Sequence, residues 1–179
     1  MFYMFFADGF EEVEAIATLD VIRRGGIEIK SVGVNGKEIT GSHGITVVCD
    51  TVIGDLSFEN LSGIILPGGM PGTTNLMEDS AVNSFIDYCS EKGLFICAIC
   101  AAPMILGRKG LLEGKEAICF PGFEDELKGA IISDSFVCKS SNIITAKGMG
   151  SAVNFGLEIV KAIKGDEFSD NLRATLQIS

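Results

Sequence analysis

The sequence predicts an α/β protein, a mostly parallel sheet with helices on both faces. Three observations carry this. Continuous apolar runs at Phe2 to Ala7, Ser62 to Leu66 and Gly93 to Ile99 read as strands buried on both faces. Amphipathic, helix-period stretches lie between such runs. The first strand, helix and strand are close enough in sequence to form a βαβ unit with a right-handed crossover.

In order, Phe2 to Ala7 is the first strand and Asp8-Gly9 its turn. Glu11 to Arg24 is a helix, with Val13, Ile16, Ala17 and Val21 on a common apolar face. Glu11 and Glu12 lie in its first turn, Arg23 and Arg24 in its last, and Gly25-Gly26 ends it. Ile27 to Val34 is the second strand. Glu38 to Asp50 is a small β excursion bending at Gly41 to Gly44. Ser62 to Leu66 is a core strand that stops at Pro67-Gly68-Gly69, and Gly72 to Met77 and Ala81 to Lys92 are helical. Gly93 to Gly107 begins as a strand and ends as a helix that Met104 to Leu112 completes. Ala117 to Phe120 is a short strand and Glu124 to Leu127 a helical turn. Phe136 to Lys139 and Asn142 to Ala146 pair as strands. Ser151 to Ile163 is a helix packing through Val153, Leu157, Val160 and Ala162, and the tail 166–179 holds one more short helix.

At 179 residues, 47% hydrophobic and 21% charged, the chain is read as one domain spanning 1–179. A net charge of −10, with no basic cluster beyond Arg23-Arg24, argues against nucleic acid or an anionic membrane as partners. The apolar N-terminus runs straight into acidic residues with no preceding positive charge, unlike a signal peptide. The longest apolar stretch is broken by Pro103 and is too short for a bilayer. A cytoplasmic protein is expected. The six cysteines are scattered through apolar segments, which suits a reducing compartment. Cys97 and Cys100 have C-x-x-C spacing, but Cys97 lies inside the strand, so a redox pair is disfavoured. A single His, His43, and unsuitable cysteine spacings argue against a metal site.

In open parallel sheets ligands bind beyond the carboxyl ends of the strands. Four loops qualify: Ala7 to Glu14, Pro67 to Gly72, Cys100 to Pro103 and Ala146 to Gly150. Cys100 stands where a strand turns abruptly into a helix, the geometry of a nucleophile elbow. Helix N–H groups there would favour thiolate; the plain alternative is a core strand containing a cysteine. Glu14, just inside the first helix, can point to the same edge, although most helical glutamates face solvent. A carboxyl beside a thiol would share one proton with it, the carboxyl keeping it where burial is partial. Such a pair supplies nucleophile and general acid/base without histidine. The N–H groups of Gly69 and Ala101 are then candidate oxyanion donors.

Asp8-Gly9-Phe10-Glu11-Glu12-Val13-Glu14, Leu66-Pro67-Gly68-Gly69, Ala98-Ile99-Cys100-Ala101-Ala102-Pro103 and Gly148-Met149-Gly150 occur in this order. The pattern resembles the ThiJ/PfpI superfamily, and within it the subgroup of the Parkinson disease protein deglycase. The resemblance covers essentially the whole chain. It implies a flavodoxin-like three-layer sandwich of the class I glutamine amidotransferase type, usually a homodimer. It implies Cys100 as the reactive cysteine, Glu14 as its proton-bearing partner, and Gly69 and Ala101 as backbone donors. It places the Gly148 to Gly150 loop near the site. His43 and Arg24 correspond to positions near the partner's site, where they would attract an anion; as isolated residues both read as solvated surface groups. One departure stands out: relatives commonly carry His before the proline that follows the elbow helix, and here that residue is Phe120, before Pro121. Another branch has His directly after the cysteine, where this chain has Ala101. A Cys–His pair at these positions is excluded, which disfavours peptidase and glutaminase activity.

The expected function is a cofactor-independent cysteine enzyme acting on reactive 2-oxoaldehydes or their adducts, like a glyoxalase or deglycase. A redox-responsive stress protein or chaperone, with Cys100 oxidised to sulfinate, is the alternative. An inert paralogue retaining the fold is a third reading.

Overall fold

The computed structural model describes residues 1–178. Strand β1 (Phe2–Phe6) leads through a short turn to helix α1 (Glu12–Arg24), then β2 (Ile29–Gly33). Strands β3 (Glu38–Thr40) and β4 (Thr46–Val48) form an antiparallel flap. Strand β5 (Thr51–Val52) follows, then β6 (Gly63–Leu66), α2 (Gly72–Glu78) and α3 (Ser80–Lys92). Strand β7 (Phe95–Ile99) turns into α4 (Pro103–Arg108). Strands β8 (Glu116–Ala117) and β9 (Ile131–Ile132) form a small parallel pair. Strands β10 (Val137–Ser140) and β11 (Ile143–Ala146) precede α5 (Ala152–Lys164) and α6 (Asp166–Thr175). The expected tail helix is α6; Ser179 lies outside the described residues.

Seven strands form one sheet in the order β10-β11-β7-β6-β1-β2-β5. Every neighbouring pair is parallel except β10 with β11, as expected of a mostly parallel sheet. The chain moves outward from β1 to β2 on one side and to β6 and β7 on the other, so the topological switch falls between β1 and β6. Register aligns Leu66 with Ala98 and Ile99 with Ala146. Residues 67, 100 and 147 therefore leave the sheet along one edge. One face packs α2, α3 and α4 through Leu76, Phe85, Ile86 and Leu106. The other packs α1 and α5 through Val21, Ile22, Phe155 and Val160.

Three local expectations are corrected. The buried face of α1 is Glu12, Glu14, Ala15, Thr18, Val21 and Ile22. Of the predicted apolar face, Val13 is 47% and Ile16 42% exposed. Close packing on α5 sets this orientation. Thr18 Oγ1 donates to the carbonyl of Ala152 at 3.1 Å, and a Cβ on Gly156 would lie 2.8 Å from Val21 Cβ. Helix α4 ends at Arg108 rather than reaching Leu112, because Gly110 takes φ 72° and turns the chain away. The strand expected at Ala117 to Phe120 ends at Ala117, and the next N–H, of Ile118, bonds the Thr145 hydroxyl at 3.0 Å.

Candidate active site

Cys100 follows β7 with φ 65°, a left-handed conformation that strains any residue bearing a Cβ. Its surroundings hold it there. Its N–H donates to the carbonyl of Ala146 at 2.9 Å, and its own carbonyl accepts the N–H of Phe120 at 2.8 Å. The strain aims the side chain out of the sheet edge, where it is half-buried.

Glu14 is brought to the same point by the start of α1. Glu11 caps that helix, its carboxylate accepting the N–H of Glu14 at 2.7 Å. The N–H of Glu11 donates to the carbonyl of Gly68 at 2.9 Å, and the N–H of Gly68 donates to Glu14 Oε2 at 3.1 Å. The loops after β1 and β6 are thus laced together, and Glu14, 1% exposed, lies beside the Cys100 side chain, both bordering Gly68. Glycine is required at position 68: a Cβ there would lie 2.5 Å from Cys100 Cβ and 2.6 Å from Glu14 Oε2. Gly69, at φ 90°, leaves no room for a Cβ against the Glu11 N–H.

The N–H groups of Gly69 and Ala101 lie close enough to the Cys100 sulfur to favour its thiolate. The expected help from a full helix N-terminus is smaller than the sequence suggests. Helix α4 begins at Pro103, which has no N–H, and the N–H of Ala102 is occupied by the carbonyl of Ile99. Burial therefore dominates. It pushes the Cys100 thiol up to about 12, with the Glu14 charge adding to the rise and the two N–H donors opposing it. Burial likewise pushes Glu14 up to about 7, against bonds from Cys100 and from the N–H groups of Gly68 and Met149, while the nearby Glu11 charge adds to the rise. The two groups titrate as a pair that retains one proton between about pH 7 and about 12, and burial leaves it on the thiol rather than on the carboxyl that was expected to keep it.

The structure brings Cys100, Glu14, Gly69, Ala101 and the Gly148 to Gly150 loop together. It does not bring Arg24 to them: that residue is at the far end of α1, paired with Asp20 at 2.6 Å. His43 lies nearer, in the flap, with its ring exposed and its Nδ1 2.9 Å from Glu12 Oε2. Glu12 was not singled out by the sequence, yet it is buried and organises the flap. It accepts the His43 N–H at 2.7 Å and the Ile45 N–H at 3.4 Å. Burial alone would raise its carboxyl, but these bonds outweigh burial and hold it down at about 2. Glu11, Glu12 and His43 each place a potential metal-ligating atom within 4.8 Å of one another. Both Glu12 oxygens already serve the flap as acceptors, so the cluster is accounted for as structure.

Among the described residues no helix is long and apolar enough to cross a membrane. A cavity of about 330 Å³ adjoins the site between Phe120, Phe136, Lys147 and Met149. A larger hollow of about 550 Å³ lies at the opposite end of the sheet, near Phe2, Phe95 and Lys164, away from the thiol.

The likeness to known proteins agrees with this architecture. Protein dj-1beta of Drosophila melanogaster is 34% identical over 164 residues, covering 90% of this chain and 88% of that protein. A Caenorhabditis elegans protein named glutathione-independent glyoxalase DJR-1.2 is 32% identical over 164 residues, covering 90% and 87%. The structure of oxidized Toxoplasma gondii DJ-1 superposes with a TM-score of 0.95 at 30% identity, covering 99% of this chain and 98% of that one. The DJ-1/PfpI family model matches residues 2–162, and the chain belongs to that family.

Proposed function

We propose that the protein is a cofactor-independent glyoxalase that converts small 2-oxoaldehydes to 2-hydroxy acids, and that the same chemistry extends to oxoaldehyde adducts. The observation that carries this reading is a thiol, a carboxyl of raised pKa and two N–H donors at one strand edge. The only histidine is engaged elsewhere, with Glu12. A relative named as a glyoxalase adds support.

Cys100 Sγ adds to the aldehyde carbon while the one proton held by the thiol–carboxyl pair passes to the new oxygen. The Gly69 and Ala101 N–H groups steady the developing alkoxide, giving a hemithioacetal. The Glu14 carboxylate removes the proton on the former aldehyde carbon and returns it to the neighbouring carbon through an enediol. The aldehyde carbon is thereby oxidised to a thioester and the ketone carbon reduced to an alcohol, with no external electron acceptor. Water cleaves the thioester, releasing the 2-hydroxy acid and restoring the thiol. Purified protein should convert methylglyoxal to lactate, followed by proton NMR, and Cys100→Ala should not. Unchanged methylglyoxal with the native protein would reject the reading.

The same two N–H donors would equally hold the oxygens of a Cys100 sulfinate, which supports redox response as a second reading. Mild peroxide should then add two oxygens to Cys100 by intact mass. The protein is further proposed to act as a homodimer through the exposed α1 face, where Val13, Ile16 and Ile45 border an apolar hollow. In that arrangement His43 or Arg24 of one chain would approach the site of the other. Six free cysteines, most of them buried, favour a cytoplasmic setting.

A further inference from the structure

The cavity between Phe120 and the Gly148 to Gly150 loop has almost no polar surface. Phe120, Phe136 and Met149 are 47%, 66% and 55% exposed, and all three line it. Exposed aromatic and thioether side chains gathered at one place are unusual unless something covers them. Each is held from behind. The Phe120 backbone N–H is fixed to the Cys100 carbonyl at 2.8 Å. Its ring packs on Gly148, where a Cβ would fall 3.2 Å from Phe120 Cδ2 and 3.9 Å from Glu14 Oε1. The Phe120 ring and the Glu14 carboxyl thus both face Gly148. Phe136 is anchored by the Lys147 N–H to its carbonyl at 2.9 Å, and the Lys147 ammonium stands 5.4 Å from its ring centre. Met149 follows Gly148 in the site loop, and its exposed side chain lines the cavity.

A substrate whose aldehyde carbon meets Cys100 and whose ketone carbon lies under Glu14 can turn its remaining substituent along this wall. A methyl group would fill little of about 330 Å³. A phenyl or branched alkyl group would cover the ring of Phe120 and remove apolar surface from water on both sides. We infer that Phe120, with Phe136 and Met149, forms a substituent subsite that makes aryl and bulky alkyl 2-oxoaldehydes the preferred substrates over methylglyoxal. The inference rests on the oxoaldehyde reading above and deepens it.

The test compares phenylglyoxal with methylglyoxal in the native protein, Phe120→Ala and Phe136→Ala. The native kcat/KM ratio should favour phenylglyoxal by about tenfold or more, and each substitution should reduce that ratio about tenfold. A second measurement does not depend on turnover. Mandelate and lactate, the two products, are titrated while the amide resonances of Phe120, Gly148 and Met149 are followed by NMR. Mandelate should bind at least tenfold more tightly and move those amides, and Phe120→Ala should close the gap. Equal affinity of the two acids, or an unchanged aldehyde ratio in both variants, overturns the subsite. Preferential mandelate binding without turnover of either aldehyde overturns the catalytic reading while retaining the subsite.

Discussion

The N–H of Gly68 donates to Glu14 Oε2 at 3.1 Å, and this bond joins the acid on α1 to the strand end beside the thiol. The bond exists only because residue 68 has no side chain. Gly68→Ala would press a methyl group against both Cys100 and Glu14. A displacement of that size at a reacting pair costs about a hundredfold in rate. Turnover of methylglyoxal by this variant should fall by about that factor, with circular dichroism showing a retained fold.

Catalysis by the pair requires that it hold one proton rather than two. Glu14 loses its proton at about 7, so kcat/KM should rise as pH passes through that value. Glu14→Gln should remove this limb and lower the rate about a hundredfold or more. A flat profile in the native protein would separate Glu14 from the chemistry.

The raised pKa also has a stability consequence. Folding favours the protonated form of Glu14, so this contribution is fully present below about pH 4.5 and is lost as pH rises through about 7. The buried charge then costs on the order of 3 kcal/mol. Urea denaturation should find Glu14→Gln more stable than the native protein at pH 8, with the difference vanishing near pH 4.

Glu12 behaves oppositely. Its carboxyl is held down at about 2, so its contribution is present above about pH 4.5 and is lost as pH falls through about 2. Glu12→Gln should be destabilised by about 1–3 kcal/mol at pH 7 and match the native protein near pH 2. Hydrogen exchange should show the loss centred on the N–H groups of His43 and Ile45.

The exposed face of α1 offers a test of assembly. Val13→Asp and Ile16→Asp place charge where the isolated chain already exposes the side chain, so folding should survive. Sedimentation equilibrium should show dimers for the native protein and monomers for the variants. An unchanged mass would place the interface elsewhere.

Short-range pattern by itself determined most of the architecture. Runs such as Phe2 to Phe6 and Ile96 to Ile99 leave no polar face for solvent, so only a sheet covered on both sides accommodates them. The order of Glu14, Gly69 and Cys100 along the chain placed each in the segment that follows a core strand, and strand ends of a parallel sheet share one edge. What lay beyond sequence depended on packing between distant elements. Helix α1 carries two apolar stripes, and period alone does not say which one meets α5; Gly156 and Thr18 decide it. Glu12 and Glu14 look alike in Glu11-Glu12-Val13-Glu14, yet the flap draws one carboxyl down and burial beside Cys100 pushes the other up. The acidity of Cys100 followed the same rule. Its place before a helix suggested thiolate, but Pro103 supplies no N–H and the site is buried, so desolvation outweighs the two donors that remain.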